Sequence, residues 1–319
     1  MIGAAEILAP TPGALLRRRI FRHWGLIIGG VILTAIVLMA LLAPLVSAYD
    51  PYDQQLARKL IPPIWHASAK ATWAHPLGTD HLGRDYLTRL LYGAQISLLI
   101  GFSAMLISGV IGTTIGVLAG YFGGRTDNVL MRITDYFLVI PDVPLMIVVA
   151  AIWGPSLFHI VIVIGILLWT STARVIRAQV KSVRERVYVK RARALGAGHT
   201  RIVVRHVLPQ VAPLLIANTV LTIAVAIFDE TALAFLGLGD PSRISLGKVI
   251  ENAFQRAAIS TGAWWAIVPP GALVAVIILG CSLLGGAIED ALNPRLRVAH
   301  LSAKSFRLRP LVGRSPDAV

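Results

Sequence analysis

The sequence predicts an all-α polytopic membrane protein with six transmembrane helices and both termini in the cytoplasm. Only 14% of its 319 residues are charged and 56% are hydrophobic, whereas a soluble domain carries about 25% charged residues. Six apolar runs approach or exceed ~20 residues, the length that a helix needs to cross a bilayer. Lysine and arginine concentrate in alternate connections between these runs, which is typical of cytoplasmic segments.

The apolar runs define the predicted spans in chain order. The first run follows Arg17–Arg19 and lacks a small-residue cleavage site, so we expect a retained span and not a signal peptide. The six predicted spans are 25–47, 95–121, 133–152, 157–175, 210–236 and 266–288.

The basic residues orient the chain. Most of the 30 Lys and Arg residues lie in the two tails and in the segments after spans two and four, which places these four segments in the cytoplasm. The predicted organisation is a cytoplasmic tail at 1–24, the first transmembrane helix at 25–47, an external loop with an interfacial helix near 84–94 at 48–94, a five-helix membrane core at 95–288 that includes a cytoplasmic loop at 176–209, and a cytoplasmic tail at 289–319.

The net charge of +14 and the pI of about 10.7 would also suit a nucleic-acid-binding protein. The basic residues flank apolar spans, however, which favours a protein that contacts the lipid bilayer and no nucleic acid. Cys281 is the only cysteine, so the chain offers no disulfide and no cysteine-based metal framework.

Small residues and prolines predict how the spans pack. Gly112, Gly116 and Gly120 recur every four residues in span two, a pattern that lets helix backbones approach closely. Pro141 and Pro144 are expected to kink span three, because proline removes a backbone donor from the helix.

The acidic residues of the spans leave two interpretations open. Asp229 and Glu230, near the outer end of span five, either line a translocation path near its outer gate or form a capped or salt-bridged pair at the headgroup level. Asp142 is either a partner of the backbone freed by the neighbouring prolines or part of the same path.

The basic loop from Tyr188 to Pro209 is the most distinctive segment. Gly196 predicts the end of one helix, and a second short helix is expected to end at Pro209, which biases Leu208 away from the helical region. Anionic lipid headgroups would explain the charge of the loop, but neither its glycine turn nor its apolar stripe. That stripe, on one amphipathic helix, is formed by Val180, Val183, Val187, Tyr188, Ala192 and Leu195.

The residue order in this loop resembles the EAA loop of bacterial ABC-importer permeases. The family pattern is an acidic residue, two alanines, three residues, a glycine, about nine residues, isoleucine, one residue and leucine-proline. Residues that fit it are Ala192, Gly196, Val207, Leu208 and Pro209, whereas Lys190 and Arg191 replace the acidic residue and the first alanine.

Three further segments resemble the C-type permeases of the dipeptide, oligopeptide and nickel importers. With the EAA-like loop they cover about 75–297 in the family's order, which makes the resemblance specific. The segments are His75–Leu98, with Gly78, Thr79, Asp80, Gly83, Arg84 and Asp85; Glu230–Gly239, followed by Ser245, Leu246 and Gly247; and Asp290–Arg295.

The resemblance implies a type I ABC-importer permease fold in the bacterial inner membrane. A second, homologous permease would complete a translocation path for di- or oligopeptides, with nickel or another small solute as the alternative cargo. Two ATPase subunits, or a fused ATPase, would bind ATP and Mg²⁺ on the cytoplasmic side, with one subunit docked on the loop 180–209. An extracytoplasmic substrate-binding protein would deliver the cargo.

The resemblance also assigns residues to the contact with the ATPase. This chain would be a transporter subunit that binds no cofactor itself and is not an enzyme. The implied coupling residues are Lys190, Arg191, Ala192, Arg193, Leu195, Gly196, Ala197, Arg201, Arg205, Leu208 and Pro209, of which Arg193, Arg201 and Arg205 are expected to pair with acidic residues of the ATPase.

The external motif around Asp80 invites a different chemistry. A carboxylate pair, Asp80 and Asp85, with His75 and His81 nearby would suit a divalent ion. We favour an internally hydrogen-bonded loop in which Asp80 is a helix N-cap and Arg84 is its partner.

Two other classes of protein remain as alternatives. A membrane-embedded enzyme using Asp135, Asp142 or Glu230 would turn over without an ATPase, and a passive channel would conduct without ATP. The sequence contains no G-x-x-x-x-G-K-[ST], no H-E-x-x-H and no G-x-S-x-G. The chain therefore carries none of these nucleotide-binding or catalytic motifs, which favours the transporter.

Overall fold

The computed structural model describes residues 24–292 except 67, 69, 257, 259 and 261. The predicted tails before residue 24 and after residue 292, including the last part of the Asp290–Arg295 motif, lie outside the described residues. The helices in chain order are α1 (Trp24–Leu41), α2 (Ala43–Val46), α3 (Tyr86–Phe122), α4 (Gly124–Val139), α5 (Asp142–Trp153), α6 (Leu157–Arg184), α7 (Val187–Ala194), α8 (His199–Ile202), α9 (Leu208–Leu233), α10 (Leu246–Gln255) and α11 (Val268–Leu292), with 3-10 turns at Leu56–Arg58 and Trp264–Ala266 and π-helical turns at Val203–Val207 and Ala234–Leu238.

The all-α membrane fold is confirmed, with five to six candidate spans. In the described chain, five helical stretches are long and apolar enough to cross a membrane, and the bent pair α4 and α5 makes a sixth if it is counted as one span. The one β-type pairing among the described residues is an isolated bridge between Thr79 and Asp85.

The third span is broken, which is more than the predicted kink. α4 and α5 are bent by 81°, because Ile140 and Pro141 are extended, with ψ of 126° and 125°. Proline disfavours a helical conformation for the residue before it and cannot donate to the preceding turn. Asp142 is therefore the first residue of α5 and not a mid-span residue, and Pro144 lies in the first turn, where its missing N–H is harmless.

The prediction of a separate interfacial helix near 84–94 is wrong. Tyr86–Phe122 is one helix of 37 residues, so the second span begins earlier than residue 95. No proline interrupts this stretch, and Gly93 packs closely enough on α10 that a Cβ there would lie 3.2 Å from the Leu246 side chain. This packing offsets the usual helix-weakening effect of glycine.

The glycine repeat brings α3 and α6 into close contact, as predicted. A Cβ on Gly112 would lie 2.7 Å from the Trp169 carbonyl oxygen, and one on Gly116 would lie 2.7 Å from the Ala173 carbonyl oxygen. Because these neighbours are backbone atoms of a helix, they cannot move aside. The close approach of α3 and α6 therefore depends on the absence of side chains along this line of glycines.

The Gly116→Ala variant is expected to lose about 1–3 kcal/mol of stability, because overpacking must push α3 and α6 apart. Gly109→Ala is the matched control, since its Cβ would meet Thr219 Cγ2 at an ordinary 3.6 Å. Thermal unfolding of the two purified proteins in detergent measures the difference. Equal melting temperatures would contradict the close α3–α6 contact.

Hydrogen bonds order the end of the molecule that lies opposite to α7 and α8. The Tyr52 hydroxyl donates to the Ser242 carbonyl oxygen (3.0 Å), and the Ser242 hydroxyl donates to Asp240 (2.6 Å). Asp240 also accepts from the Leu157 N–H (3.0 Å) and so caps the start of α6. The segment after α2 is thereby fixed to the core, as expected for an ordered loop.

Candidate functional site

In the loop between α6 and α9, the predicted glycine turn joins α7 to α8. Gly196 has φ of +79°, a conformation that residues with a Cβ rarely adopt. The turn is closed by the Gly196 N–H donating to the Arg193 carbonyl (3.0 Å) and by the Ala197 N–H donating to the Ala192 carbonyl (3.1 Å). The geometry of this loop therefore depends on one glycine.

The predicted apolar stripe is wrong in its register. The non-helical residue Arg186 separates α6 from α7, so the first two residues of the stripe belong to α6. The fully buried residue of α7 is Val189, whereas Val187 and Leu195 are exposed, Leu195 at 87%. A single helical period could not anticipate the change of direction at Arg186.

Pro209 does not end the second short helix. α8 continues through the π-helical turn Val203–Val207 into α9, and Leu208 has helical angles of φ −55° and ψ −44°. Pro209 lies in the first turn of α9, where a missing N–H is tolerated. The expectation that Leu208 leaves the helical region is therefore wrong, and α8 and α9 form one rod.

Most of the residues predicted to contact an ATPase are exposed, and these exposed residues are here called the coupling surface. Its members combine basic side chains with the apolar Leu195. The coupling surface consists of Lys190, Arg191, Arg193, Leu195, Gly196, Arg201, Arg205 and Pro209, while the predicted residues Ala192, Ala197 and Leu208 are partly buried beneath it.

An apolar cluster fixes the underside of α7 and α8. Val189 and Ile202 are fully buried and pack with Val180 and Val183 of α6 and with Val117 of α3. Complete burial of such a side chain stabilises a protein by about 1.5–3 kcal/mol. The coupling surface is therefore bound to the ends of two spans.

Lys190, which stands where the family has an acid, has an acidic neighbour. Its Nζ lies 2.9 Å from Glu185 Oε2, and the hydrogen bond from Lys190 lowers the pKa of the Glu185 carboxyl below its usual value. Both side chains are exposed, so the pair adds little to stability. A carboxylate is thus present beside position 190.

An ion-pair cluster that the sequence analysis missed joins α4 to α6. Both Asp127 oxygens accept hydrogen bonds from Arg177, one of them at 2.8 Å, and Lys181 Nζ lies 2.6 Å from Asp127 Oδ2. Arg177 and Lys181 are four residues apart and so share a face of α6, which is the signal that the sequence offered. The acid that they meet depends on the tertiary fold.

The external motif is a hydrogen-bonded loop, but its helix cap is a different residue. Asp80 accepts from the N–H groups of Leu82 (2.8 Å) and Arg84 (3.0 Å), and from Arg84 Nε (2.7 Å). Arg84 as the partner of Asp80 is confirmed. The N-cap of α3 is Asp85, which accepts from the Thr88 N–H (2.8 Å), because Asp80 closes a tight turn that precedes the helix.

The other motif residues close this loop on the segment before it. The Thr79 hydroxyl oxygen accepts from the Ile61 N–H (2.9 Å). Gly78 and Gly83 have φ of +82° and +75°, and a Cβ at Gly83 would lie 1.9 Å from the Gln55 carbonyl oxygen. Positive φ and backbone contact explain both glycines.

The two histidines of this region do not converge on an ion site. His75 Nδ1 lies 2.9 Å from Asp85 Oδ1 and supports the helix cap. His81 is half-buried, and this burial lowers the pKa of its imidazole. Across the described residues, no three His, Cys, Asp or Glu side chains are placed to hold a metal ion.

The acidic residues of α9 differ in their surroundings. Glu230 is 1% exposed and accepts from the Ser97 hydroxyl (3.0 Å), whose oxygen accepts from the Leu246 N–H (3.2 Å). Asp229 is buried without a hydrogen-bond partner among the described residues, and its electrostatic neighbour is Asp142 at the exposed start of α5. Whether these carboxylates border a path stays a prediction.

The fold is that of a multi-span helical membrane protein, and comparison with known proteins gives its family. Residues 112–298 match the family described as "Binding-protein-dependent transport system inner membrane component". Residues 11–63 match the "N-terminal TM domain of oligopeptide transport permease C". The chain belongs to this family of bacterial inner-membrane transport components.

Individual relatives agree with the family match. The chain is 39% identical over 281 residues to the di/tripeptide transport system permease protein DppC of Pseudomonas aeruginosa, covering 88% of this chain and 91% of that protein. It is 34% identical over 276 residues to the dipeptide transport system permease protein DppC of Haemophilus influenzae (86% and 91%). It is also 34% identical over 271 residues to the oligopeptide transport system permease protein OppC of Bacillus subtilis (85% of each). The resemblance to C-type permeases is thereby confirmed.

Proposed function

We propose that this chain is the C-type permease subunit of an ATP-driven importer of di- or oligopeptides. The observation that carries the proposal is the coupling surface, which is exposed, shaped by the Gly196 turn, and seated on the ends of α3 and α6. An ATPase that docked there would displace two spans together, because buried apolar contacts join them to the loop. Family membership supports the transport role.

The proposed assembly has four kinds of chain. A second, homologous permease would enclose the path with this one, and two ATPase subunits, or a fused ATPase, would bind ATP and Mg²⁺. A substrate-binding protein would deliver peptide to the external segments 48–94 and 238–265. The basic residues of the coupling surface support its placement in the cytoplasm, together with both termini.

Peptides are the proposed cargo because the most similar relatives described above are named as dipeptide, di/tripeptide and oligopeptide permeases. Nickel or another small solute is the alternative. We place Asp142, Asp229 and Glu230 near the outer part of the path. Asp229, a buried carboxylate with no hydrogen-bond partner in the described chain, suits transient attraction of a cationic amino terminus, whereas Glu230 is engaged by Ser97.

The docking assignment is tested with a single cysteine. Leu195→Cys in the assembled complex is expected to cross-link to an ATPase subunit when a thiol–amine reagent is added, because position 195 is exposed on the coupling surface. The one native cysteine, Cys281, is buried and should not react. The cross-linked product is detected by gel electrophoresis and by the tag on the ATPase.

Trp73→Cys is the matched control, since Trp73 is also exposed but lies on the external segment. A cross-link from position 195 and none from position 73 supports the proposal. Equal cross-linking from both positions, or none from position 195, would remove the coupling surface as the docking site.

A further inference from the structure

Tyr121, in the last turn of α3, is contacted by three parts of the segment 176–209, here called the coupling loop: the end of α6, α7 and α8. Its side chain is 2% exposed, and its hydroxyl oxygen lies 3.0 Å from His199 Nδ1 at the start of α8. The Arg193 guanidinium of α7 lies 5.5 Å from the centre of its ring. Arg184, at the end of α6, donates from Nη1 to the Tyr121 carbonyl oxygen (3.1 Å). One residue of α3 is therefore bonded to α6, α7 and α8.

These polar contacts differ in kind from the apolar cluster beneath α7 and α8. The neighbouring contacts of Val189 and Ile202 are apolar, and apolar burial has no preferred direction. The bond between Tyr121 and His199 requires one distance and one angle, and the guanidinium of Arg193 is attracted to the ring face. The polar contacts therefore fix the register of α7 and α8 on α3, which the apolar cluster alone would not do.

Because Tyr121 lies at one end of the long helix α3, a movement of α7 and α8 at Tyr121 affects the whole helix. α3 extends over 37 residues from Tyr86 to Phe122, and the glycine line holds it against α6. Near its other end, Ser97 bonds to Glu230 of α9. A displacement applied to α3 at Tyr121 is therefore carried to the part of the molecule where the acidic residues of α9 lie.

We propose that Tyr121 and His199 are positioning residues for energy coupling, whose hydrogen bond transfers the movement of the docked coupling loop to α3. The inference rests on the proposed function, since it presumes that an ATPase moves the loop. It predicts loss of coupling without loss of docking. A role in folding alone would instead lower the amount of assembled complex.

The test measures ATP hydrolysed per peptide imported by the full complex in proteoliposomes, with the substrate-binding protein present. Tyr121→Phe and His199→Ala are each expected to raise this ratio about three- to tenfold, the range that corresponds to the loss of one net hydrogen bond. The double variant should be no worse than His199→Ala, because both changes remove the same hydrogen bond and His199→Ala also removes the ring contacts of His199 with Tyr121 and Phe122. His199→Asn, which can place a polar atom near the Nδ1 position, should restore most of the coupling.

Two further readouts separate the possible outcomes. The amount of ATPase that co-purifies should be unchanged, and Tyr92→Phe, another tyrosine of α3 with no hydrogen-bonded hydroxyl in the described chain, should behave as the unmodified protein. Absence of ATP-dependent uptake by the unmodified complex would overturn the proposed function and the inference with it. Normal coupling in Tyr121→Phe, equal defects in His199→Asn and His199→Ala, or loss of ATPase binding would overturn the inference alone.

Discussion

Valine in place of Gly196 is expected to lower ATP-dependent transport at least about tenfold while the protein still inserts into the membrane. A φ of +79° costs a residue with a Cβ roughly 1–2 kcal/mol, and a β-branched residue is a stronger outlier there. Apart from Gly196 and its two chain neighbours, no described heavy atom lies within 4 Å of the place that the Cβ would occupy, so the penalty comes from the local backbone. The turn would relax and separate Leu195 from Arg201 on the coupling surface, and ATP-dependent uptake into proteoliposomes should fall at least about tenfold, since 1.4 kcal/mol corresponds to that factor.

Gly198→Val is the matched control for this change. Gly198 also has open space around it, but its φ is −64° and its ψ is 151°, angles that valine adopts readily. Uptake should be close to that of the unmodified complex. Gly196→Asn should be intermediate, because asparagine tolerates positive φ. Normal uptake by Gly196→Val would show that the shape of the turn does not carry coupling.

Replacing Asp80 with asparagine is expected to destabilise the protein by about 3–5 kcal/mol, because removing one partner of a buried ion pair leaves the other charge uncompensated. Arg89 is 2% exposed, and its Nε lies 3.6 Å from Asp80 Oδ2. The variant also loses the bond between Asp80 and Arg84 Nε. Thermal unfolding of the purified protein in detergent measures the effect, which should appear as a large fall in melting temperature.

Asp53→Asn separates a general effect of charge from the effect of burial. Asp53 is exposed and accepts a hydrogen bond from Gln55 Nε2 at 2.9 Å. Its replacement should change stability by less than about 0.5 kcal/mol, as is usual for surface positions. Similar melting temperatures for the two variants would mean that Asp80 does not hold the start of α3 in place.

Local features of the sequence predicted the coupling loop better than its surroundings. Gly196 could be recognised because a helix stop with positive φ is a property of glycine itself. The line of Gly112, Gly116 and Gly120 is likewise readable, since every side chain larger than hydrogen would separate the helices. Length and hydropathy alone predicted five of the spans and the apolar stretch that forms the bent pair α4 and α5.

Features that depend on tertiary contacts were not predictable in the same way. Pro209 was expected to end a helix, but the π-helical turn before it lets the helix continue past the proline. Val189 is buried because the chain changes direction at Arg186, which the period of one helix does not encode. Asp127 meets Arg177 and Lys181 only after α4 and α6 have packed together.

The Asp80 motif shows an intermediate case. The residue types predicted a hydrogen-bonded loop with Arg84 as a partner, and the structure has both. The sequence analysis named Asp80 as the N-cap, whereas the cap is Asp85, because Asp80 closes the turn before the helix and His75 bonds to the Asp85 carboxylate. The hydrogen-bonding residues of a loop can thus be predicted from the sequence even where the first residue of the following helix cannot.

Uptake of a labelled dipeptide into proteoliposomes tests the central claim most directly. The complete complex is reconstituted with the coupling surface facing the lumen, ATP and Mg²⁺ are enclosed, and the substrate-binding protein is added outside. We expect accumulation above the external concentration only when both ATP and the binding protein are present, and none with a non-hydrolysable ATP analogue. Uptake without ATP would indicate a channel, and conversion of the peptide by the purified chain alone would indicate an enzyme; either result would contradict an ATP-coupled permease.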